Sequence, residues 1–340
     1  MSQTTTAVRT GASSSGPDGA PPRPPKRRRT GWSMSPKAIP YLLIIPGLLV
    51  IAVLTFYPLY QVVVMAFHKV GLAEIRPRNP RPAEFVGWDN FQQIFANPQF
   101  WSTLRNTVLF AVAAVSLTMV VGTLVGILLN QLGRVMSTVV VIGLMLAWGM
   151  PRTAVAAVWK WMFDPEAGVV NWSLNTLPDW LTGMLLGRSD WTGYPWFNDV
   201  LPIYIVLTAM VVWQSFPFIA VSVLAGLKSV PSELQEAARV DGAGPWTTWW
   251  KITFPLLKPI FTVLLVLSVI WDFKVFDQLY ILIRTLNRDA ANLSIYAYTE
   301  AFSSPPRMGT GAAIAIVLTA ILMVITCVYV RQIVKNEELR

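Results

Sequence analysis

The sequence predicts an all-α, polytopic membrane protein with six transmembrane helices, on three observations. Hydrophobic residues make up 54% of the 340 residues, and the mean hydropathy is +0.50. Apolar runs long enough to cross about 30 Å of hydrocarbon recur along the chain. None shows the alternation of a barrel strand, and lipid obliges each span to satisfy its own backbone, so the runs read as helices.

Residues 1–37 are rich in Ser, Thr, Gly and Pro and end in a Pro-Arg-Lys cluster, so they cannot bury enough apolar surface to fold alone. They form a disordered basic tail in which Lys26 to Arg29 hold the first span inside. A cleaved signal peptide does not fit, because the basic cluster lies far into the chain and the apolar run after it is of span length. The membrane domain then covers 38–335. Its expected spans are 39–67, kinked at Pro46 and Pro58, then 103–129, 136–161, 200–227, 260–283 and 311–330. Trp148, Gly149, Pro151, Arg152 and Lys160 interrupt the third.

Charge sets the orientation. Residues 1–38, the turn at Arg134, the 228–259 loop and the tail from Arg331 hold 15 Lys or Arg against 6 Asp or Glu. The opposite face holds 8 against 10, so both termini are expected in the cytoplasm. The net charge of +9 thus reports topology and a lipid bilayer, and no nucleic-acid partner need be invoked. A single Cys, Cys327, excludes a disulfide framework and is expected to pack within the last span. The lone His68 near a span end reads as a surface residue.

Two outer segments have internal organisation. Residues 68–102 predict a short interfacial helix with Phe91, Ile94 and Phe95 on one side. Residues 162–199 carry Trp172, Trp180, Trp191 and Trp196, which either anchor the segment at the interface or dock an outside partner.

The most specific stretch is the polar island from Pro231 to Pro259. Ser232 is placed to cap a helix with Gln235 as capping-box partner, and Glu233 and Glu236 lie near its favourable start. Gly242 or Gly244 can stop it in the left-handed conformation. A second short helix starts at Pro245 and presents Trp246, Trp249, Trp250 and Ile252 before Pro255 and Pro259 break it. Two short helices at an angle are expected, lying along the membrane face.

Glu236-Ala237-Ala238, then Asp241-Gly242-Ala243, then Ile252 and Phe254-Pro255 resemble the EAA loop of bacterial ABC-importer membrane subunits. Phe254 departs from the family's usual Leu but stays apolar. Leu224-Ala225-Gly226-Leu227 through Val230-Pro231, and Phe276 to Tyr280, resemble the carbohydrate-uptake branch. The resemblance covers roughly residues 38–335 and implies the type I ABC importer permease fold in a bacterial plasma membrane. It implies a second related permease subunit, two cytoplasmic ATPase subunits and an outside solute-binding protein as partners. ATP and Mg belong to those ATPase subunits; this chain would bind no cofactor or metal and catalyse nothing, and it carries no Gly-x-x-x-x-Gly-Lys-Ser/Thr loop. Glu236, Ala237, Ala238, Arg239, Asp241, Gly242, Ile252 and Pro255 would contact the ATPase.

Sugars need hydrogen-bonding groups and aromatic faces together, and two spans offer both. Trp213, Gln214 and Phe216 lie in the fourth; Asp272, Lys274, Asp277, Gln278 and Tyr280 lie in the fifth, after Trp271. Lys274 and Asp277 share a helix face, so they either neutralise each other or meet the solute. Arg152 and Lys160 are expected to snorkel or to line the sister-subunit interface. A disaccharide or short oligosaccharide is the family-level expectation for the substrate. The alternative is a non-sugar solute such as glycerol phosphate, a polyamine or an amino acid.

Overall fold

Lipid offers no partner to a backbone N–H or C=O, and the long apolar segments close theirs as helices. The computed structural model describes residues 39–75, 81–283 and 288–337; the basic tail, residues 1–37, lies outside them. The chain divides between Thr55 and Phe56 into two units. The first holds the start of α1 (Ile39–Ala66), whose apolar side chains there are nearly all exposed, as a lipid-facing helix requires. α1 continues through Pro46 and Pro58.

In the second unit a short antiparallel ribbon, β1 (His68–Lys69) with β2 (Glu84–Phe85), leads to α2 (Asp89–Ala96) and α3 (Pro98–Gln131). His68 donates from Nδ1 to the Val64 carbonyl at 2.7 Å and packs edge-on against Phe85, so it is half-buried structure. The Asn97 side chain caps α3 by accepting from the Gln99 N–H at 2.9 Å, and Pro98 takes the first turn, where it loses no hydrogen bond. α2 is a short helix at the expected place, but its apolar side packs into the protein. Phe91 and Ile94 are buried with Ala66, Phe100 and Ala312 to Ile314, and Asn90 donates to the Ala66 and His68 carbonyls. Only Phe95 of the expected apolar stripe stays exposed.

The expected third span is two helices, α4 (Arg134–Trp148) and α5 (Arg152–Met162), bent by 90°. Pro151 has no N–H and pushes Met150 out of helical geometry. Lipid would punish the freed Met150 carbonyl, but Gln214 Nε2 donates to it at 2.9 Å. Beyond α5 come α6 (Val169–Thr176) and α7 (Asp179–Leu186). The tryptophans here split. Trp191 and Trp196 are buried and stacked at 5.4 Å, with Trp196 Nε1 donating to Asn171 at 2.6 Å, whereas Trp172 and Trp180 are exposed. Two of the four therefore join the core that α3 and α5 build with later helices, and two stay exposed.

α8 (Val200–Ser229) packs along α3 as the most extensive helix pair. A Cβ on Gly122 would fall 2.5 Å from Ile219, and one on Gly126 would fall 2.8 Å from the Ala220 carbonyl oxygen, so only glycine permits this approach. The sequence signal is Gly122-x-x-x-Gly126, the small-residue spacing of close membrane helices.

After α9 (Ser232–Val240), α10 (Pro245–Thr248), a π-helical turn (Trp249–Thr253) and α11 (Phe254–Phe273) run on without a break. Pro255 and Pro259 were expected to end the second loop helix, and neither does. Pro255 sits in the first turn of α11, and the wider π turn before it lies where a tight α turn would press the Lys251 carbonyl on the Pro255 ring. The span expected over 260–283 instead begins within the loop and stops at Phe273, with a separate α12 (Asp277–Leu282) beyond it. Asn292 Nδ2 donates to the Val275 carbonyl at 2.6 Å and closes the backbone group which that break frees. α13 (Leu293–Phe302) and α14 (Met308–Glu337) complete the described chain, and Cys327 is exposed on α14 rather than packed. Among the described residues five helical stretches are long and apolar enough to cross a bilayer, or six with the bent α4–α5 pair taken as one span.

Candidate translocation cavity and coupling loop

α9 begins one residue earlier than a Ser232 cap requires. Pro231, at φ −58° and ψ 131°, holds the cap position, so Ser232 is already helical and no side-chain cap forms with Gln235. The other end is as expected. Gly242 has φ +78°, its N–H donates to the Arg239 carbonyl at 3.1 Å, and the Ala243 N–H reaches back to Ala238 at 2.9 Å. This paired closure satisfies the last carbonyls of α9 and turns the chain sharply.

Glu236, Ala237, Arg239, Asp241 and Gly242 are exposed on this turn, and Val240 is 87% exposed. Ala238 is buried, Ile252 is half-buried and Pro255 is exposed. The alanine inside anchors the helix while its polar face stays open. Trp246, 75% exposed, meets Trp250 edge-on at 5.7 Å, and Trp250 meets Phe254 at 5.0 Å, so an aromatic ladder follows the loop into α11. A cleft of about 240 Å³ opens beside it, between Gln131, Gln235, Arg239 and Trp249.

At the far end of α11 a second, polar cavity of about 130 Å³ lies among Arg152, Gln214, Asp272 and Gln278, with Trp148 and Trp271 on its wall. Trp148 stacks on Phe218 at 5.5 Å and Phe218 meets Trp271 at 5.4 Å, which fixes the two indoles. Gln278 Nε2 donates to Gln214 Oε1 at 3.2 Å, and Gln214 donates on to Met150, so the amides are held in a chain that starts at the bend.

The structure brings together three of the eight pathway residues expected from sequence: Gln214, Asp272 and Gln278. Trp213 lies apart, 6.4 Å from Trp159, and Phe216 is half-buried outside the cavity lining. Tyr280 stacks on Phe276 at 5.2 Å and meets Tyr298 at 5.5 Å in a separate aromatic cleft. Lys274 and Asp277 do not share a helix face, because α11 ends between Asp272 and Lys274. Both are exposed, and no ion pair joins them. Lys160 does not snorkel; its Nζ donates to the Ile281 carbonyl and ties α5 to α12. Arg152 is exposed and lines the cavity. Sequence reading misses it because only the 90° bend turns that end of α5 inward. Among the described residues no group of three or more His, Cys, Asp or Glu is poised to hold a metal.

Residues 120–335 match the family described as the inner membrane component of binding-protein-dependent transport systems. The chain belongs to that family. Among relatives of this permease subunit, the diacetylchitobiose uptake system permease of Streptomyces coelicolor is 36% identical over 88% of each chain. A sulfoquinovosyl glycerol permease of Agrobacterium fabrum is 30% identical over 89% of this chain and 93% of its own. A trehalose/maltose permease of Thermococcus litoralis is 30% identical over 86% and 92%. The permease subunit also superposes on a chain of a bacterial ABC transporter involved in import of the acidic polysaccharide alginate, with a TM-score of 0.69 at 20% identity, over 86% of this chain and 94% of that one. Its fold is that of the type I ABC importer permeases.

Proposed function

We propose that this permease subunit imports a disaccharide or short oligosaccharide, and that residues 231–259 couple its movement to ATP hydrolysis by two partner ATPase subunits that bind ATP and Mg. One observation carries the reading: the loop and the polar cavity occupy the two ends of one helix. From Pro245 to Phe273 the chain is continuously helical, about 43 Å at about 1.5 Å per residue, with the exposed Gly242 turn before its start and Asp272 at its end. A displacement of the loop by an ATPase therefore moves a cavity wall, as alternating access requires.

The basic excess of the loop side and both termini supports a cytoplasmic loop in a bacterial plasma membrane, with a solute-binding protein delivering substrate from the opposite side. The sugar assignment rests on the relatives for diacetylchitobiose and for trehalose and maltose, and on indole faces beside amide and carboxylate groups in one cavity. A cavity of about 130 Å³ falls below the roughly 300–1,000 Å³ of ligand pockets, so a second related permease subunit supplies the facing wall.

The test is uptake of labelled N,N′-diacetylchitobiose, maltose and trehalose by proteoliposomes holding the sister permease and the ATPase, with saturating binding protein outside. Uptake of one of them that needs both ATP and the binding protein is expected. ATP hydrolysis that no sugar stimulates, with no sugar accumulated, would overturn the sugar reading.

A further inference from the structure

Asp272 is 4% exposed, and no described residue gives its carboxylate a hydrogen bond or an ion pair. Gln278 is 3% exposed, and its Oε1 has no partner either. Unpaired polar atoms are costly inside a membrane protein and are retained where a ligand uses them. Both line the cavity, and Arg152 lines it from the first turn of α5. Arg152 and Asp272 line the same cavity, yet no ion pair closes between them. Arg152, an exposed residue, therefore offers donors and Asp272 an acceptor, with open volume beside both.

A sugar hydroxyl is donor and acceptor at once. It can take a hydrogen bond from the guanidinium and give one to the carboxylate or to Gln278 Oε1, and a solute with several hydroxyls can meet both acceptors. A solute with a net charge meets attraction from one residue and repulsion from the other, and loses the hydration it had in water.

We propose that Arg152 is a specificity-determining, solute-contacting residue, and that with Asp272 it selects uncharged polyhydroxylated solutes over cationic and anionic ones. This rests on the sugar-import reading above and adds the residue and the charge class.

The experiment uses the assembled importer in proteoliposomes with saturating binding protein and three probes: a neutral disaccharide, its primary-amine analogue and its aldonic-acid analogue. Each variant's rate is divided by the wild-type rate for the same probe, which cancels the binding protein's own preference. Relative to the neutral probe, Arg152→Gln is expected to shift at least about fivefold toward the amine, and Asp272→Asn at least about fivefold toward the acid. A merely structural role would lower all three rates alike in both variants, and that result overturns the inference while leaving sugar import standing. Failure of the wild type to take up any of the three defeats the underlying reading instead. Where Arg152→Gln does not assemble, Asp272→Asn and the charge-keeping Arg152→Lys decide. The former must shift toward the acid while the latter keeps the wild-type ratios, and absence of the Asp272→Asn shift overturns the proposal.

Discussion

Gly242→Val tests the coupling loop at its narrowest point. Gly242 holds φ +78°, and a Cβ added there would meet no atom within 4 Å, so the substitution causes no clash. Its cost is the left-handed backbone alone, about 1–2 kcal/mol for an L-residue, and β-branched valine is poorly suited to it. Set against a global stability on the order of 5–15 kcal/mol, the bundle survives; the same energy shifts the local turn population about 5–30-fold. What is lost is the pair of bonds from Gly242 and Ala243 back to Arg239 and Ala238, and with them the fixed angle between α9 and the helix that leads to Asp272. Gly242→Asn, which tolerates the left-handed region, should retain most function. Glu236→Lys acts on the same surface, because its exposed carboxylate is reversed in sign. The assay is co-purification of the ATPase with substrate-stimulated ATP hydrolysis in reconstituted complexes. Gly242→Val and Glu236→Lys should both insert, retain the sister permease and lose stimulated hydrolysis at least about fivefold. If both insert and leave association, hydrolysis and uptake unchanged, the loop is not the coupling element.

Three other predictions follow from the packing, the broken span and the charge distribution. Gly126→Val places a Cβ 2.8 Å from the Ala220 carbonyl oxygen and should destabilise the α3–α8 pair by about 1–3 kcal/mol, lowering the unfolding temperature in detergent. Gly143→Val, which meets nothing within 4 Å, serves as the unshifted control, and equal effects of the two would argue against close packing at Gly126. Lys274→Met and Asp277→Asn should have additive effects on uptake, since no ion pair joins the two; recovery in the double variant would reinstate the pairing. A cysteine at Ser232 in a Cys327→Ser background should react with an impermeant maleimide only from the cytoplasmic side, and labelling from outside would invert the topology.

Much of this protein was legible in one dimension because lipid makes local demands. Each span must close its own hydrogen bonds, so apolar length alone located the membrane-length segments, and Pro231, Gly242 and Pro245 in the 231–259 loop marked helix ends through their own backbone limits. Gly242 is the clearest case: of the two glycines read as stop signals, it is the one realised as a left-handed turn, closed by two backbone bonds. Where the structure departs from the sequence pattern, the cause is a local turn in one case and a partner distant in sequence in two. Pro255 and Pro259 look like breaks until a π turn accommodates the first of them. The 260–283 run looks continuous until Asn292 stabilises an opening at Val275. The third span looks like one helix until Gln214 takes the Met150 carbonyl. The two distant contacts also decide the cavity. Hydropathy can place Arg152, Gln214, Asp272 and Gln278 in membrane segments, but which of them meet depends on a 90° bend and a helix end, and both are set by hydrogen bonds between residues 17 to 64 positions apart.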